Sequence, residues 1–129
     1  MYDPPSPPEI LAAVARFLKE EVAPATTGHL SFQARVAANA LEMMRRQLDE
    51  APRADAAECE RLRLLLGMDG ELVTLNAELS RRIAAGEADL STPGLAEHLW
   101  AATLAKMAVD QPTYAAYRAS LADRAAAND

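Results

Sequence analysis

The sequence predicts an all-α protein, an antiparallel bundle of five helices plus a short C-terminal helix, on three observations. Half of the residues are hydrophobic but only 5 % are aromatic. The apolar content is therefore mostly Leu, Ala, Val and Met, a composition that favours helix. Apolar residues recur at three- and four-residue spacing between capping and breaking residues. Apolar–polar alternation does not persist, so no strand is expected. A chain of 129 residues fits a single domain, 1–129, with roughly two-thirds of its unfolded surface available for burial.

Residues 1–6 are Pro-rich and expected to be extended. Ser6, Pro7 and Glu9 form a capping-box start. The helix that follows carries Ile10, Leu11, Val14, Phe17 and Leu18, and Pro24 is expected to stop it after Val22. A turn containing Gly28 reverses the chain, with His29 beside it expected to be solvated or to cap the turn. The next stretch, Leu30–Leu48, places Phe32, Val36, Met43, Met44 and Leu48 on an apolar arc of roughly half the circumference. An arc that wide predicts an inner helix touching at least two neighbours, with Asn39 at its border.

Pro52 is expected to close that region, and Asp55 with Glu58 to cap a third helix bearing Cys59, Leu62, Leu65 and Leu66 up to Gly67. Asp69 is the expected cap of a fourth, with Leu72, Leu75, Asn76, Leu79 and Ile83, ending at Gly86. Ser91, Thr92 and Pro93 announce a fifth, whose Leu95, Leu99, Trp100, Leu104 and Met107 spread around the helix and predict good coverage. Pro112 interrupts. Tyr114, Tyr117 and Leu121 mark a last weak helix, with fraying expected over 122–129.

The net charge of −6 argues against a nucleic-acid partner, because phosphates would be repelled. Cys59 is the single cysteine and fits no metal spacing, so it reads as a buried or half-buried free thiol. No segment is long and apolar enough to span a membrane, and the N-terminus lacks a basic run. A soluble, cytoplasmic protein is expected, without cofactor or metal.

Polar positions on apolar faces are the candidate site residues. Asn39 and Asn76 need partners if withdrawn from water, at a cost of roughly 1–3 kcal/mol if they find none. Each either bonds a neighbouring backbone or lines a small pocket. Arg35, one turn before Asn39, either supplies a forked donor for a carboxylate or phosphate or pairs with an acid such as Glu42. Lys106 either joins such a pocket or pairs with Asp110. His98 lacks a second His, a Cys pair or a Glu-x-x-His arrangement, so it reads as solvated or hydrogen-bonded. No residue set reads as catalytic.

Tyr2-Asp3 with Pro5, the run Arg35–Leu41, the run Leu75-Asn76 through Leu79, Ile83 and Gly86, and Lys106–Asp110 followed by Pro112 and Tyr114 resemble an uncharacterised bacterial family, a domain of unknown function. The resemblance covers nearly the whole chain. One departure is Gln111, where the family pattern has Asn before the Pro, so no role is assigned to an amide there. The resemblance implies genomic company with acyl-CoA dehydrogenases and with phosphotransferases of the aminoglycoside-kinase type, and hence a context of acyl-CoA metabolism.

Two functional readings follow. The first is a non-catalytic adaptor that binds a protein partner through an exposed apolar patch around Trp100, Tyr114 and Tyr117, or that self-associates as a dimer. The second is a ligand-binding or enzymatic domain in which Arg35, Asn39, Asn76 and Lys106 line a pocket for an acyl-thioester, nucleotide or organic acid.

Overall fold

The computed structural model of the protein describes residues 3–127. Tyr2 of the family-like opening and the tail residues Asn128 and Asp129 lie outside them. The fold is all-α: no strand occurs among the described residues. Helix α1 spans Pro7–Phe17, and a π-helical turn over Leu18–Val22 leads into the short α2, Ala23–Ala25. Helix α3 runs Gly28–Leu66, α4 Leu72–Ala84, α5 Leu95–Asp110 and α6 Ala115–Ala126. Two compact units are resolved, with the division between Ala51 and Pro52.

In the N-terminal unit the start of α1 follows the sequence reading. The Ser6 backbone N–H donates to Glu9 Oε2 at 2.7 Å and the Ser6 hydroxyl donates to the same oxygen at 2.8 Å. Both bonds favour the ionised carboxylate, and the backbone bond contributes most to holding the Glu9 pKa below its usual value. Pro24 does not stop the helix after Val22. The turn before it widens, so that the Ala23 N–H reaches the Leu18 carbonyl, and the helical path continues to Ala25. The wider turn accommodates a residue that lacks an N–H and whose ring crowds the preceding turn. Gly28 adopts φ 61°, the left-handed conformation needed for reversal, and the buried Ser31 hydroxyl donates to the Ala23 carbonyl at 2.8 Å.

The expectation that Leu30–Leu48 is an inner helix is not met. Its buried positions are Ser31, Ala34 and Ala38, whereas Phe32 is 61 % and Val36 50 % exposed. Ala15 and Ala23 are the buried residues on the α1 and α2 side. Small side chains allow helices to approach closely, so the edge of the apolar arc, rather than its broad middle, forms the contact face. Ser6, Pro8, Glu9 and Ala12 line a groove with Arg45 and Asp49 of α3, while Ser31 meets Ala23 near the opposite end of α1. The segments therefore form an antiparallel hairpin with an alanine-rich interior.

Pro52 lies inside α3 rather than closing it. It removes the donor for the Leu48 carbonyl and is worth about 3 kcal/mol against the helix. Ala51, Ala54, Ala56 and Ala57 favour helix on both sides and carry it through, so Asp55 is an interior residue and not a cap.

The C-terminal unit has a core of Leu62, Leu66, Leu75, Leu79, Ala88 and Leu95, with Cys59, Leu65, Met68 and Leu72 packed against it. These come from the periodic stripes read in the sequence. Glu71, not Asp69, occupies the N-cap position of α4, without a side-chain cap bond; the Asp69 carboxylate instead stands 3.6 Å from Arg63. Ser91 and Thr92 do not cap the fifth helix: Ser91 donates to Asp89 Oδ1 and the Asp89 N–H donates to Thr92 Oγ1, forming a closed turn. The cap position falls to Gly94, at φ 85°. Helix α6 continues to Ala126 through residues expected to fray, consistent with the helix preference of its alanines.

Candidate functional site

The leucine core of the C-terminal unit carries a layer of polar side chains one helical turn away. Glu58 precedes Leu62 by one turn on α3, Asn76 follows Leu75 on α4, and His98 follows Leu95 by three residues on α5. The Asn76 amide donates to Glu58 Oε1 at 2.8 Å. Asn76 is thus half-buried and satisfied by a side chain of another helix, rather than by the backbone.

His98 is 3 % exposed, and its Nδ1 has no hydrogen-bond partner among the described residues. Burial pushes its pKa down, the charge of Arg61 pushes it down further, and Glu58 opposes both. The imidazole is therefore neutral at neutral pH. The Arg61 Nε is likewise buried without a partner. Glu58, Arg61, Asn76 and His98 form one electrostatic neighbourhood with an acceptor, donors and a neutral imidazole. No group of three or more metal-ligating side chains occurs among the described residues. The sequence reads His98 as solvated or hydrogen-bonded, whereas it is buried with Nδ1 unpartnered among the described residues. Its spacing from Leu95 and from the buried Ala102 sets it on the covered stripe of α5, and that was the available signal.

The four ligand candidates have different surroundings. Arg35 and Asn39 are exposed on α3, one turn apart, and neither has a hydrogen-bond partner among the described residues. The expectation of a withdrawn Asn39 amide fails because the Ala34–Ala38 edge is the covered face. Glu42, the alternative partner for Arg35, pairs with Arg45 at 3.2 Å. Lys106 and Asp110 are both exposed and form no ion pair among the described residues. The cation stands N-terminal to the acid, the weaker orientation, and water competes at both ends.

Lys106 shares the exposed face of α5 with Leu99, Trp100 and Thr103. Trp100 is 52 % exposed, which corrects the expectation of a well-covered fifth helix. Tyr114, at the start of α6, is half exposed and Tyr117 half buried. Cys59 is half-buried, with its Sγ 3.7 Å from the Gly70 carbonyl. In the N-terminal unit, the groove of about 460 Å³ beside Arg45 and Asp49 is open, and its charges are already engaged: Glu9 with Ser6, and Arg45 with Glu42 and Asp49.

Residues 24–114 match the model of a family described as a domain of unknown function, DUF6285. No curated protein and no solved structure matches the chain. No helix among the described residues is long and apolar enough to cross a membrane.

Proposed function

We propose a docking role for this chain, which belongs to the DUF6285 family: a non-catalytic helical adaptor that binds a protein partner through the outer face of α5 and the start of α6. The observation that carries the reading is the half-exposed Trp100. A large aromatic on a rigid helix supplies much contact area at little entropic cost, and such residues dominate interface energetics. Leu99 extends the apolar surface on α5, Lys106 and Asp110 supply polar groups toward the end of the helix, and the half-exposed Tyr114 follows at the start of α6. The family resemblance points to enzymes of acyl-CoA metabolism or kinase-like phosphotransferases as partners.

Trp100 is the single tryptophan, so its emission reports docking directly. Titration with a purified acyl-CoA dehydrogenase or aminoglycoside-kinase-like phosphotransferase, the partner classes that the resemblance implies, is expected to shift that emission to shorter wavelength. Trp100→Ala is expected to weaken the complex by about 30-fold or more. Binding that is indifferent to Trp100→Ala would remove this face from the reading.

A second reading rests on the unpartnered His98 Nδ1 and Arg61 Nε: a small acyl-thioester, nucleotide or organic acid would supply what these groups lack. A thermal-shift series with CoA esters and nucleotides tests it, since a ligand bound only by the folded chain raises its melting temperature. A ligand at this layer must lose its effect in His98→Phe.

A further inference from the structure

Glu58 and Arg61 are three residues apart on α3, the spacing at which Glu42–Arg45, Glu60–Arg63 and Glu78–Arg81 close into ion pairs. Glu58 and Arg61 form no ion pair among the described residues. Glu58 accepts instead from the Asn76 amide of α4 at 2.8 Å. Glu50 and Arg53 are also open at this spacing, but both are exposed to solvent. Arg61 is half-buried, and its Nε is enclosed without an acceptor. The chain thus sets a guanidinium beside a carboxylate and ties the carboxylate to another helix.

His98 approaches the same place from α5. Leu65 Cδ1 lies 3.7 Å from where a Cβ on Gly94 would stand, so the start of α5 is seated on α3 there. Arg61 is one turn before Leu65 and His98 one turn after Gly94, and the charges of Arg61 and Glu58 both act on the imidazole. His98 is 3 % exposed, with Nδ1 unpartnered among the described residues. Two enclosed nitrogens, one of them on a cation, therefore lack a partner beside the leucine core.

Building on the reading that this layer takes a small ligand, we propose that Arg61 and His98 bind the carboxylate of a small organic acid. One carboxylate oxygen accepts from Arg61 Nε–H. The other accepts from His98 Nδ1–H, in the neutral tautomer that carries its proton there. A thioester or other neutral carbonyl would leave the guanidinium charge unmatched. Inorganic phosphate and nucleotides bring more negative charge up to Glu58 than a carboxylate does. Asn76 serves binding without touching the acid, because its amide keeps Glu58 from occupying Arg61.

Ring-nitrogen NMR of the full chain during titration with sodium acetate, at ionic strength held with chloride, tests the proposal. The chain has two histidines, and the exposed His29 is an internal reference. Acetate is expected to shift the His98 nitrogens saturably, on a millimolar scale, and to leave His29 unmoved. Arg61→Gln is expected to weaken binding by about 10-fold or more. Asn76→Ala, which releases Glu58 to Arg61, is expected to weaken it by about 2–5-fold, and Asn76→Ala with Glu58→Gln to restore it. A merely structural Asn76 gives no such rescue, and this pair remains informative if Arg61→Gln unfolds the chain. Shifts at His98 with inorganic phosphate or CoA but not with acetate overturn the carboxylate and keep a ligand at the layer. No saturable shift with acetate, phosphate or CoA overturns both. An equal response at His29 and His98, an ionic effect only, also overturns the proposal.

Discussion

The Asn76 amide donates to Glu58 Oε1 across 2.8 Å, joining α4 to the second half of α3 above the leucine core. The acceptor is a half-buried carboxylate, so losing the amide removes a charge-assisted bond. Asn76→Ala is expected to cost about 1 kcal/mol in urea unfolding at neutral pH. In a double-mutant cycle with Glu58→Ala the two losses should be less than additive. Additive losses would show that the bond contributes nothing.

His98 predicts an acid-sensitive fold. Its folded pKa lies below the unfolded value because burial and Arg61 disfavour the imidazolium, with Glu58 opposing. The unfolded state therefore binds the proton more readily. The stabilisation is complete above the unfolded value near ~6.5 and is lost as pH falls through the lower folded value. Melting temperature should decline from pH 7 to pH 5, and His98→Phe should flatten that decline. Glu78 does not confuse the reading. Hydrogen bonds from Arg81 and Arg82 push its pKa down to about 2, so its contribution is full above the usual carboxylate value, below the pH 5–7 window, and is lost progressively as pH falls from there to about 2.

The leucines of the C-terminal unit divide sharply between core and surface. Leu75 is fully buried in the cluster, and Leu75→Ala is expected to cost about 2–5 kcal/mol. Leu64, 86 % exposed on α3, should tolerate alanine within about 0.5 kcal/mol. Chemical denaturation of the two variants checks the contrast.

Pro52 offers a test in the stabilising direction. Alanine at this interior position restores an N–H for the Leu48 carbonyl, and Pro52→Ala should raise stability by up to about 3 kcal/mol. A destabilised variant would mean that the surrounding packing requires the proline.

Local signals survive folding because they act through the backbone of a few neighbouring residues. The Ser6–Glu9 box, the stops at Gly67 and Gly86 and the leucine stripes of the C-terminal unit were all legible in the sequence. The prolines were read too strongly: at Pro24 a widened turn absorbs the ring, and at Pro52 the adjacent alanines hold the helix. Periodicity shows that a face is apolar but not what covers it. It therefore marked Phe32 and Val36 as interior when the smaller Ala34 and Ala38 make the contact. The same limit hid the polar layer: Asn76 stood out as an amide on an apolar face, whereas His98 sat beside Leu99 and Trp100, both of which are exposed.

The outward placement of Trp100 is most directly tested by acrylamide quenching of its fluorescence, first alone and then with the partner enzyme proposed above. The free chain should emit at long wavelength and be quenched readily, as a half-exposed indole is, and the partner should shift the emission to shorter wavelength and protect it. Short-wavelength, poorly quenched emission from the free chain would place Trp100 in the interior and contradict the docking face.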